Sequence, residues 1–558
     1  MAKPKAKVKK SQHSYYDNEE NGTIRSWLIK FGVPLLFCLG AYAFFGGYLY
    51  SSKKPAPKLS FGIRNSPISS LLDDVDFNPL EVPYYSVFGK EIDTDTSKCD
   101  EIREYDNSSI SVSYPMNLNH EGTLKDVRDI AKKLLEEGTY PVVSECFLDE
   151  EYETEEYILK NRWFQFSGSA VWMDAEEVYF YVSRVVYARK GDRVNPSISV
   201  LYAQVFDRDW KEIKDYKFAS ADMVFPTILP IEIDIHMVNR MQAGPEDPRV
   251  VLRKFYNEKK KKMEAEPYII FNESLVKTNW RRAMFSYRPF STPNLTTELA
   301  IEGKIRRLQE KNWSPFFEYN DYQHIYFLYN FEPLRILKCN MDSGLCNKTF
   351  GPDYMSLDVL NQVGNLRGGT SLVRIPQHLL PEGMKTRKYW LGFGRSRSEN
   401  FRRHLYRPHA YVLSKDVGAE NKYSIDYISS FIDFNFEPAT WFGVIRHDET
   451  MSVLIPNSIA YWDFASVTQE DGSTVQEDIM GITISESDRT NKIVYMKGWL
   501  KHILQVLNKK DVNLGTHYAI SSKILADESH FLCKCSTSLV DEYCDRYKDV
   551  GGLRFYDI

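Results

Sequence analysis

Strand-like segments that occur in groups restrict the possible folds of this chain more than any other feature of its sequence. Each segment is short, rich in β-branched or aromatic residues, and bounded by Asp, Glu, Gly or Pro, which is typical of strands joined by turns. The five groups contain segments that begin at Ser169, Val178 and Ser199, at Pro267 and Ala283, at Ile325 and Leu334, at Thr370, Tyr389 and Ala410, and at Met451, Ile479 and Ile493. We therefore expect a mainly β fold.

Five successive antiparallel groups favour a five-bladed β-propeller, whose loops at one mouth of a central channel form a natural binding site. The same strands also allow two β-sandwiches, and the spacing of the groups is irregular. We predict that the propeller is the main domain and spans residues 158–498. A mixed α/β addition at 61–157 precedes it, and a C-terminal helix with a cysteine-containing cap follows at 499–558.

The N-terminal part of the chain predicts a single membrane anchor. Residues 1–30 are polar and rich in lysine, and residues 31–50 contain no charged side chain, so they would cross one bilayer as a helix. A cleaved signal peptide is the alternative, but its apolar core is usually shorter and ends at small residues. We therefore predict a type II membrane protein with a cytoplasmic tail, a transmembrane signal anchor, a stem at 51–60 and a lumenal body in the Golgi.

Cysteines and glycosylation motifs agree with an oxidising lumen, where disulfides can form. Cys339 and Cys346 flank a turn-like sequence and are the pair that we predict to be bonded. Cys533 and Cys535 could also suggest zinc, but their spacing is not that of a zinc ribbon. The predicted N-glycosylation sites are Asn107, Asn272, Asn294 and Asn347.

The motif Glu246-Asp247-Pro248-Arg249, which follows Gly244-Pro245, has the clearest chemical potential in the sequence. Its prolines stiffen the backbone around a carboxylate and a guanidinium, so the two charges would meet a target in a nearly fixed relation. An ordinary surface turn with an exposed ion pair is the competing interpretation, and these four residues alone favour it.

Four further polar segments lie beside predicted strands and could line an anion-binding mouth. Each sets a cation or a fork-shaped donor next to Gly or Pro, where backbone can approach a ligand closely. Taken singly, each could equally be a solvated turn or a packing element. The segments are Lys311-Asn312-Trp313, Glu332-Pro333-Leu334-Arg335, Arg367-Gly368-Gly369-Thr370 and Tyr406-Arg407-Pro408-His409.

The order and spacing of these motifs resemble those of the fungal β-1,2-mannosyltransferases, from about Phe61 to the C-terminus. The central strand groups also resemble the blades of the bacterial β-mannoside phosphorylases, which are five-bladed propellers. The Asp of the matching Glu-Asp-Pro-Arg motif is the single catalytic carboxylate of those enzymes, and the resemblance gives this role to Asp247. The chain departs from the phosphorylase pattern at Tyr406-Arg407-Pro408-His409.

The resemblance implies an inverting enzyme that moves mannose from GDP-mannose to the non-reducing end of a mannan or mannoprotein glycan in β-1,2 linkage, for cell-wall mannan. Asp247 would take the proton of the acceptor hydroxyl, and one carboxylate suffices because the leaving nucleotide needs no proton. Lys311, Arg335, Arg367 and Arg407 are candidates for the diphosphate. The full set of substrate-binding candidates is Arg184, Glu246, Arg249, Lys311, Asn312, Arg335, Arg367, Gly368, Gly369, Thr370, Arg407 and His409.

Other partners and functions are less favoured. The net charge of -5 gives no overall reason to expect nucleic-acid binding. The acidic pairs Asp74-x-Asp76 and Asp93-x-Asp95 lie in sequence with little predicted structure, so we predict no metal and no other cofactor. A β-mannoside phosphorylase or mannosidase, and a mannan-binding lectin without catalytic activity, remain as alternatives. Glu246 is expected to face away from Asp247, because neighbours in an extended chain face opposite sides.

Overall fold

The computed structural model describes most of the chain between residues 75 and 539. The described ranges are 75–85, 99–100, 103–104, 109–119, 122–136, 152–193, 195–236, 242–258, 260–290, 295–304, 307–318, 321–352, 366–398, 405–418, 422–436, 438–439, 452–468, 472, 474–508 and 529–539. The predicted tail, membrane span and stem lie outside them. Within these ranges, no helix combines the length and the apolar character that crossing a membrane requires.

Strands dominate the described residues, and the predicted mainly β character is confirmed. In chain order the strands are β1 (Phe77–Pro79), β2 (Tyr84–Tyr85), β3 (Arg103–Glu104), β4 (Ser111–Ser113), β5 (Met116–Asn117), β6 (Trp163–Met173), β7 (Val178–Tyr187), β8 (Ile198–Phe206), β9 (Thr227–Ile228), β10 (Glu246–Asn257), β11 (Lys262–Ser274), β12 (Arg282–Arg288), β13 (Leu295–Ile301), β14 (Ser314–Phe316), β15 (His324–Phe331), β16 (Leu334–Asn340), β17 (Leu345–Phe350), β18 (Val373–Arg374), β19 (Arg387–Ser398), β20 (Leu405–Asp416), β21 (Tyr423–Ser429), β22 (Ser452–Thr468), β23 (Thr474–Glu486) and β24 (Thr490–Lys497).

Helices are few among the described residues. The α-helices are α1 (Thr123–Glu136), α2 (Glu155–Asn161) and α3 (Trp499–Asn508), and residues 529–539 are also helical. Single 3-10 turns occur at Val276–Thr278, Gln377–Leu379 and Glu382–Met384. Helix α3 packs its apolar face on β23 and places Trp499, Leu500 and Ile503 in the main hydrophobic core.

The strands form three sheets, in which most strands that follow one another in the chain pair with each other in antiparallel orientation. Strands β6 to β9 form a sheet of four strands in chain order. Strands β10 to β13 and β14 to β17 form an eight-stranded sheet, in which a short parallel pairing of β13 with β17 joins the two sets. Strands β18 to β21 and β22 to β24 belong to a twelve-stranded sheet, joined by a short parallel pairing of β20 with β22.

The strands near the N-terminus complete this last sheet. Strands β4 and β5 pair with β24, β1 pairs with β4, and β2 pairs with β21. The residues before β6 therefore supply edge strands to sets that lie more than three hundred positions later in the chain. Strands β6, β7 and β8 are buried along their whole length, which explains their nearly continuous runs of apolar and aromatic residues.

Two disulfides are present among the described cysteines. The predicted bond between Cys339 and Cys346 is confirmed, and it closes the hairpin of β16 and β17. A second bond, which the sequence did not predict, joins Cys99 to Cys535 in the helix at 529–539. Cys533 is free and buried on the same helix.

Candidate active site

Asp247 lies at a β-bulge at the start of β10. The register between β10 and β11 shifts between Glu246 and Arg249, and Asp247 has a φ of 52°. Strand β6 carries a similar shift between Phe166 and Ser169, with a φ of 52° at Ser167. The two bulges meet, and Ser167 Oγ donates a 3.5 Å hydrogen bond to Asp247 Oδ1. Bulges of this kind redirect a side chain out of the regular alternation of a strand.

Arg184 on β7 lies between the two acidic side chains of the motif. Its Nη1 is 3.9 Å from Asp247 Oδ1, and its Nη2 donates to Glu246 Oε1 at 2.9 Å. Its Nε donates to Ser199 Oγ at 2.9 Å, which fixes the guanidinium. The expectation that Glu246 faces away from Asp247 is wrong, because the bulge interrupts the alternation on which it rested.

The charges around Asp247 keep it ionised. Burial alone would raise the pKa of its carboxyl, but Arg184, Arg395, Arg249 and Lys311 together lower that pKa to about 2. The side chain nevertheless keeps 26 % of its surface exposed, so a ligand can reach it. The site therefore contains an accessible carboxylate that is surrounded by cations.

Glu246 is held more tightly than Asp247. Besides Arg184, it contacts Arg282 Nη1 through Oε2 at 3.0 Å, and only 13 % of its side chain is exposed. Arg282 also donates to Asn272 Oδ1 at 2.8 Å, and Asn272 Nδ2 donates to the backbone oxygen of Glu246. Glu246 thus positions Arg184 and Arg282 beside the exposed carboxylate.

The segment at 367–370 reaches the same place through Arg395 of β19. Arg395 Nη1 donates to Gly368 O at 2.9 Å, and its Nη2 donates to Asn312 Oδ1 at 2.7 Å. Arg249 Nε donates to Gly369 O. Neither glycine position has room for a side chain, since a Cβ at Gly368 would overlap Asn312 O and a Cβ at Gly369 would overlap Phe393 O. Arg395 was missed by sequence reasoning, because nothing distinguishes it from the other cations of a strand rich in arginine.

Lys311 stands beside this network without a partner of its own. Burial lowers the pKa of its amine, and the charges of Asp247 and Glu246 only partly offset this effect. Among the described residues, its Nζ makes no hydrogen bond and no ion pair within 4 Å. The amine is therefore available to a ligand.

A second carboxylate, Asp488, belongs to the same electrostatic environment. It lies in the turn between β23 and β24, with a φ of 45°. Burial raises its pKa to about 6, the charge of Asp247 adds to this effect, and Arg184, Arg193 and Arg395 oppose it. Asp488 could not be predicted as a site residue, because Ser-Asp-Arg after a strand is typical of an ordinary solvated turn.

Several predicted substrate-binding residues are fully buried and hydrogen-bonded within the protein, and their role in binding stays a prediction. Arg407 is fully buried and donates to Ser452 Oγ at 3.2 Å through both terminal nitrogens. His409 is fully buried between the hydroxyls of Ser396 and Ser536, and burial lowers its pKa to about 4. Thr370 is fully buried, accepts from Phe393 N and donates to Ser371 O. Proximity in sequence to Gly and Pro did not reveal this burial.

Arg335 and Arg367 are separate cases. Arg335 is 5 % exposed and lines another cavity, of about 110 Å³, with Arg307, Trp313 and Tyr329. It is not among the cations that act on Asp247. The backbone of Arg367 exchanges two 2.8 Å hydrogen bonds with Arg395, which brings it beside the site.

The predicted glycosylation sites differ in exposure. Asn272 is 1 % exposed and both ends of its amide are hydrogen-bonded, so a glycan at Asn272 would require the side chain to leave these contacts. Asn347 is exposed on β17. Asn107 and Asn294 lie outside the described residues. Within the described ranges, no group of three or more His, Cys, Asp or Glu side chains could hold a metal ion.

Comparison with known proteins gives a consistent result. The family model for Beta-mannosyltransferases matches residues 98–543. Beta-mannosyltransferase 3 of Candida albicans is 40 % identical over 482 residues, covering 86 % of this chain and 83 % of that protein. Beta-mannosyltransferase 1 of Komagataella phaffii is 32 % identical over 464 residues, covering 76 % of this chain and 66 % of that protein.

Similarity to solved structures is weak. A protein described as a glycosidase from Bacteroides thetaiotaomicron overlaps 60 % of this chain and 86 % of its own, with a TM-score of 0.36 and 9 % sequence identity. An overlap of this quality does not define the fold.

Proposed function

This chain belongs to the β-mannosyltransferase family, and we propose that it transfers mannose from GDP-mannose, with inversion, to the non-reducing end of a mannan or mannoprotein glycan in β-1,2 linkage, for cell-wall mannan. Its relatives identify it as a mannosyltransferase; the donor, the linkage and the role in the cell wall are our proposal. The observation that carries the proposal is the accessible, ionised carboxylate of Asp247, which lies at a bulge among four cations.

Asp247 acts as the general base in this proposal. The acceptor hydroxyl gives its proton to the carboxylate while its oxygen forms a bond to the anomeric carbon of mannose. The bond from that carbon to the diphosphate breaks on the opposite face, and GDP leaves with the electron pair and needs no proton. This balance explains why one carboxylate is enough, whereas hydrolysis of a glycoside usually requires two.

The low pKa of Asp247 makes the carboxylate a weak base in the empty site. A bound diphosphate would offset part of the surrounding positive charge and raise the pKa of Asp247 toward its ordinary value. The base would then become effective only when the donor is present, which limits side reactions. Lys311, whose amine has no partner among the described residues, is assigned to hydroxyls of the transferred mannose because its charge acts directly on Asp247.

Replacement of Asp247 by asparagine tests the proposed role. Asp247→Asn should lower turnover of GDP-mannose by about 100-fold or more, because an amide cannot accept the proton. Asp174→Asn, in the exposed turn after β6, is the matched control and should retain activity. Turnover of Asp247→Asn within about tenfold of the wild type would rule out general-base catalysis by this residue.

The same sets of strands support a five-bladed propeller with the site at its centre. Hydrogen bonds link strands that each begin a different set. Val250 N of β10 donates to Ser169 Oγ of β6 at 2.9 Å, and Ala170 N of β6 donates to Ser458 Oγ of β22 at 2.8 Å. Leu372 N donates to Pro315 O at 2.9 Å between two further sets. Each set would then be one blade, and Asp247 would face the central channel.

We also propose that residues 31–50 anchor the enzyme in the Golgi membrane with its body in the lumen. The uncharged length of that segment supports this arrangement, as does the disulfide between Cys99 and Cys535. Trypsin added to sealed microsomes should remove only the N-terminal tail and leave the large fragment intact. Digestion of that fragment without detergent would contradict the orientation, and detergent should make it sensitive.

A further inference from the structure

A cleft of about 680 Å³ next to the N-terminal end of β6 has a strongly cationic lining. We call it the basic cleft, and its cations are Lys160, Arg162, Arg189, Lys190, Arg193 and Arg489. Arg162 is paired with Glu153, but no carboxylate is among the residues that line the cleft. Its volume falls within the range of roughly 300–1,000 Å³ that is typical of small-molecule sites.

Positive charge in the basic cleft is poorly compensated. Lys160, Lys190 and Arg489 are exposed and make no ion pair with the described residues. Burial and the nearby charge of Arg489 lower the pKa of Arg193 to about 10, against the opposing effect of Asp488. Cations held together at this density are expected to bind a polyanion, since one would relieve their repulsion.

Two arginines, Arg193 and Arg184, extend from the basic cleft toward Asp247. The guanidinium of Arg193 lies 5.1 Å from the ring centroid of Phe164, and that of Arg184 lies 5.2 Å from the ring centroid of Phe166. Phe164 and Phe166 are two positions apart on β6, so the two guanidiniums stack side by side on one face of that strand. Arg184 contacts Asp247, so the row leads from the cleft to the base.

The turn between β23 and β24 contacts Arg193 and also contributes to the lining of the basic cleft. Arg193 Nη1 donates to Ser487 O at 3.2 Å, and Arg489 of the same turn lines the cleft. Asp488, between them, feels the charges of both Arg193 and Asp247. A ligand in the cleft would therefore reach the reacting sugar past this turn.

Two tyrosines supply flat apolar surface at the cleft. Tyr152 is 83 % exposed and Tyr157 is 50 % exposed, and both line it. Exposed aromatic rings beside cations are the combination that holds a nucleobase by stacking while its phosphates are neutralised.

We propose that the basic cleft binds the nucleoside diphosphate of the sugar donor. Lys190, Arg193 and Arg489 contact the diphosphate, and the base stacks on Tyr152 or Tyr157. The inference rests on the proposed function, in which the donor is a nucleoside diphosphate sugar. This assignment differs from the prediction made from the sequence, in which Lys311, Arg335, Arg367 and Arg407 were the candidates for the diphosphate. Cations of the cleft would then stabilise the leaving charge, while Asp247 acts on the acceptor at the opposite face of the sugar.

Direct titration of the full chain, purified in detergent, tests the inference. GDP binding would be measured by calorimetry for the wild type, Lys190→Ala, Arg489→Ala and Tyr152→Ala. Each variant that lacks a cation should bind GDP about tenfold more weakly, because the loss of one charge-assisted hydrogen bond changes a dissociation constant by about that factor. Tyr152→Ala should weaken the binding of GDP but not that of inorganic pyrophosphate. Lys217→Ala, an exposed lysine outside the cleft, is the matched control.

Three outcomes separate this inference from the proposed function. Asp247→Asn should bind GDP at least as tightly as the wild type, since it lacks only the base and a negative charge that repels the diphosphate. If the wild type binds GDP and the cleft variants bind it equally well, the inference is overturned while the proposed function stands. If the cleft variants raise the KM for a phosphate-bearing acceptor and leave GDP binding unchanged, the cleft is an acceptor site and the inference is also overturned. If the wild type does not bind GDP, the donor assignment fails and the inference fails with it.

Discussion

Asp247 and Asp488 show how two carboxylates in one electrostatic environment acquire different properties. Both are partly buried, which raises the pKa of a carboxyl. Asp247 has four cations close enough to reverse that effect, and its pKa falls to about 2. Asp488 feels the negative charge of Asp247 as well as its own burial, and its pKa rises to about 6. The difference comes from the neighbours and not from the residue type.

The raised pKa of Asp488 predicts that stability depends on pH. Its folded-state pKa is above the ordinary value of 3.8, so the contribution of Asp488 to wild-type stability falls as pH rises from below 4 to above 6. Asp488→Asn avoids this loss and should raise the free energy of unfolding by about 1–2 kcal/mol at pH 7.5, after allowance for partial exposure. Urea unfolding at pH 4 and pH 7.5 would measure it.

The control for this prediction is Asp174→Asn in an exposed turn, whose free energy of unfolding should match the wild type at both pH values. A stabilisation of Asp488→Asn that is equal at pH 4 and pH 7.5 would mean that ionisation of Asp488 is not the cause.

At the scale of elements, paired bulges and one close-packed segment build the site. The bulges of β6 and β10 bring Ser167 and Asp247 together, and residues 367–370 fill the space between β14 and β19. A Cβ on Gly369 would overlap Phe393 O and lie 2.9 Å from Pro456 Cγ. The segment therefore depends on glycine for its close approach to two sets of strands.

Gly369→Ala should lower the free energy of unfolding by about 2–3 kcal/mol, because the backbone atoms that it meets cannot move aside easily. Turnover should also fall, since Gly369 O accepts the hydrogen bond of Arg249. Gly481→Ala is the matched control, because its Cβ would lie 3.3 Å from the flexible end of Ile493 and in ordinary contact with the ring of Tyr495, at 3.5 Å. Equal unfolding curves for the two variants would show that the segment tolerates displacement.

At the scale of the whole molecule, residues near the start and near the end of the described part of the chain are joined to each other. Strands β1 and β4 complete the sheet of β22 to β24, and the disulfide between Cys99 and Cys535 joins positions 436 residues apart. The other disulfide, Cys339 with Cys346, spans 7 residues within one hairpin. The two bonds therefore restrict the unfolded chain to very different extents.

The long-range disulfide should contribute more stability than the local one. Cross-linking removes more conformational entropy from the unfolded chain when the closed loop is longer, and the chain-entropy relation gives about 6 kcal/mol for the long-range bond and about 2.5 kcal/mol for the local one. The double variants Cys99→Ser/Cys535→Ser and Cys339→Ser/Cys346→Ser would be compared by urea unfolding at pH 7.5. A larger loss from the hairpin variant would contradict the entropic explanation.

Features encoded by near neighbours in the chain were predictable from the sequence. Short runs of β-branched and aromatic residues, bounded by turn residues, identify the strands. A turn-like sequence between Cys339 and Cys346 identifies their bond. The Glu246-Asp247-Pro248-Arg249 motif drew attention to Asp247, the family resemblance gave this residue its predicted role, and the fold places its carboxylate among cations. These properties depend on local conformation, which a few consecutive residues determine.

The tertiary structure alone decided which side chains are accessible and which of them meet. Arg407 and His409 have the same polar chemistry as the residues of the site, yet both are fully buried, and Asn272 is buried although its sequence matches a glycosylation motif. Arg395, Asp488 and Cys535 gain their partners from positions far away in the chain. Burial and long-range contacts depend on how distant strands pack together, and no local pattern in the sequence records that arrangement.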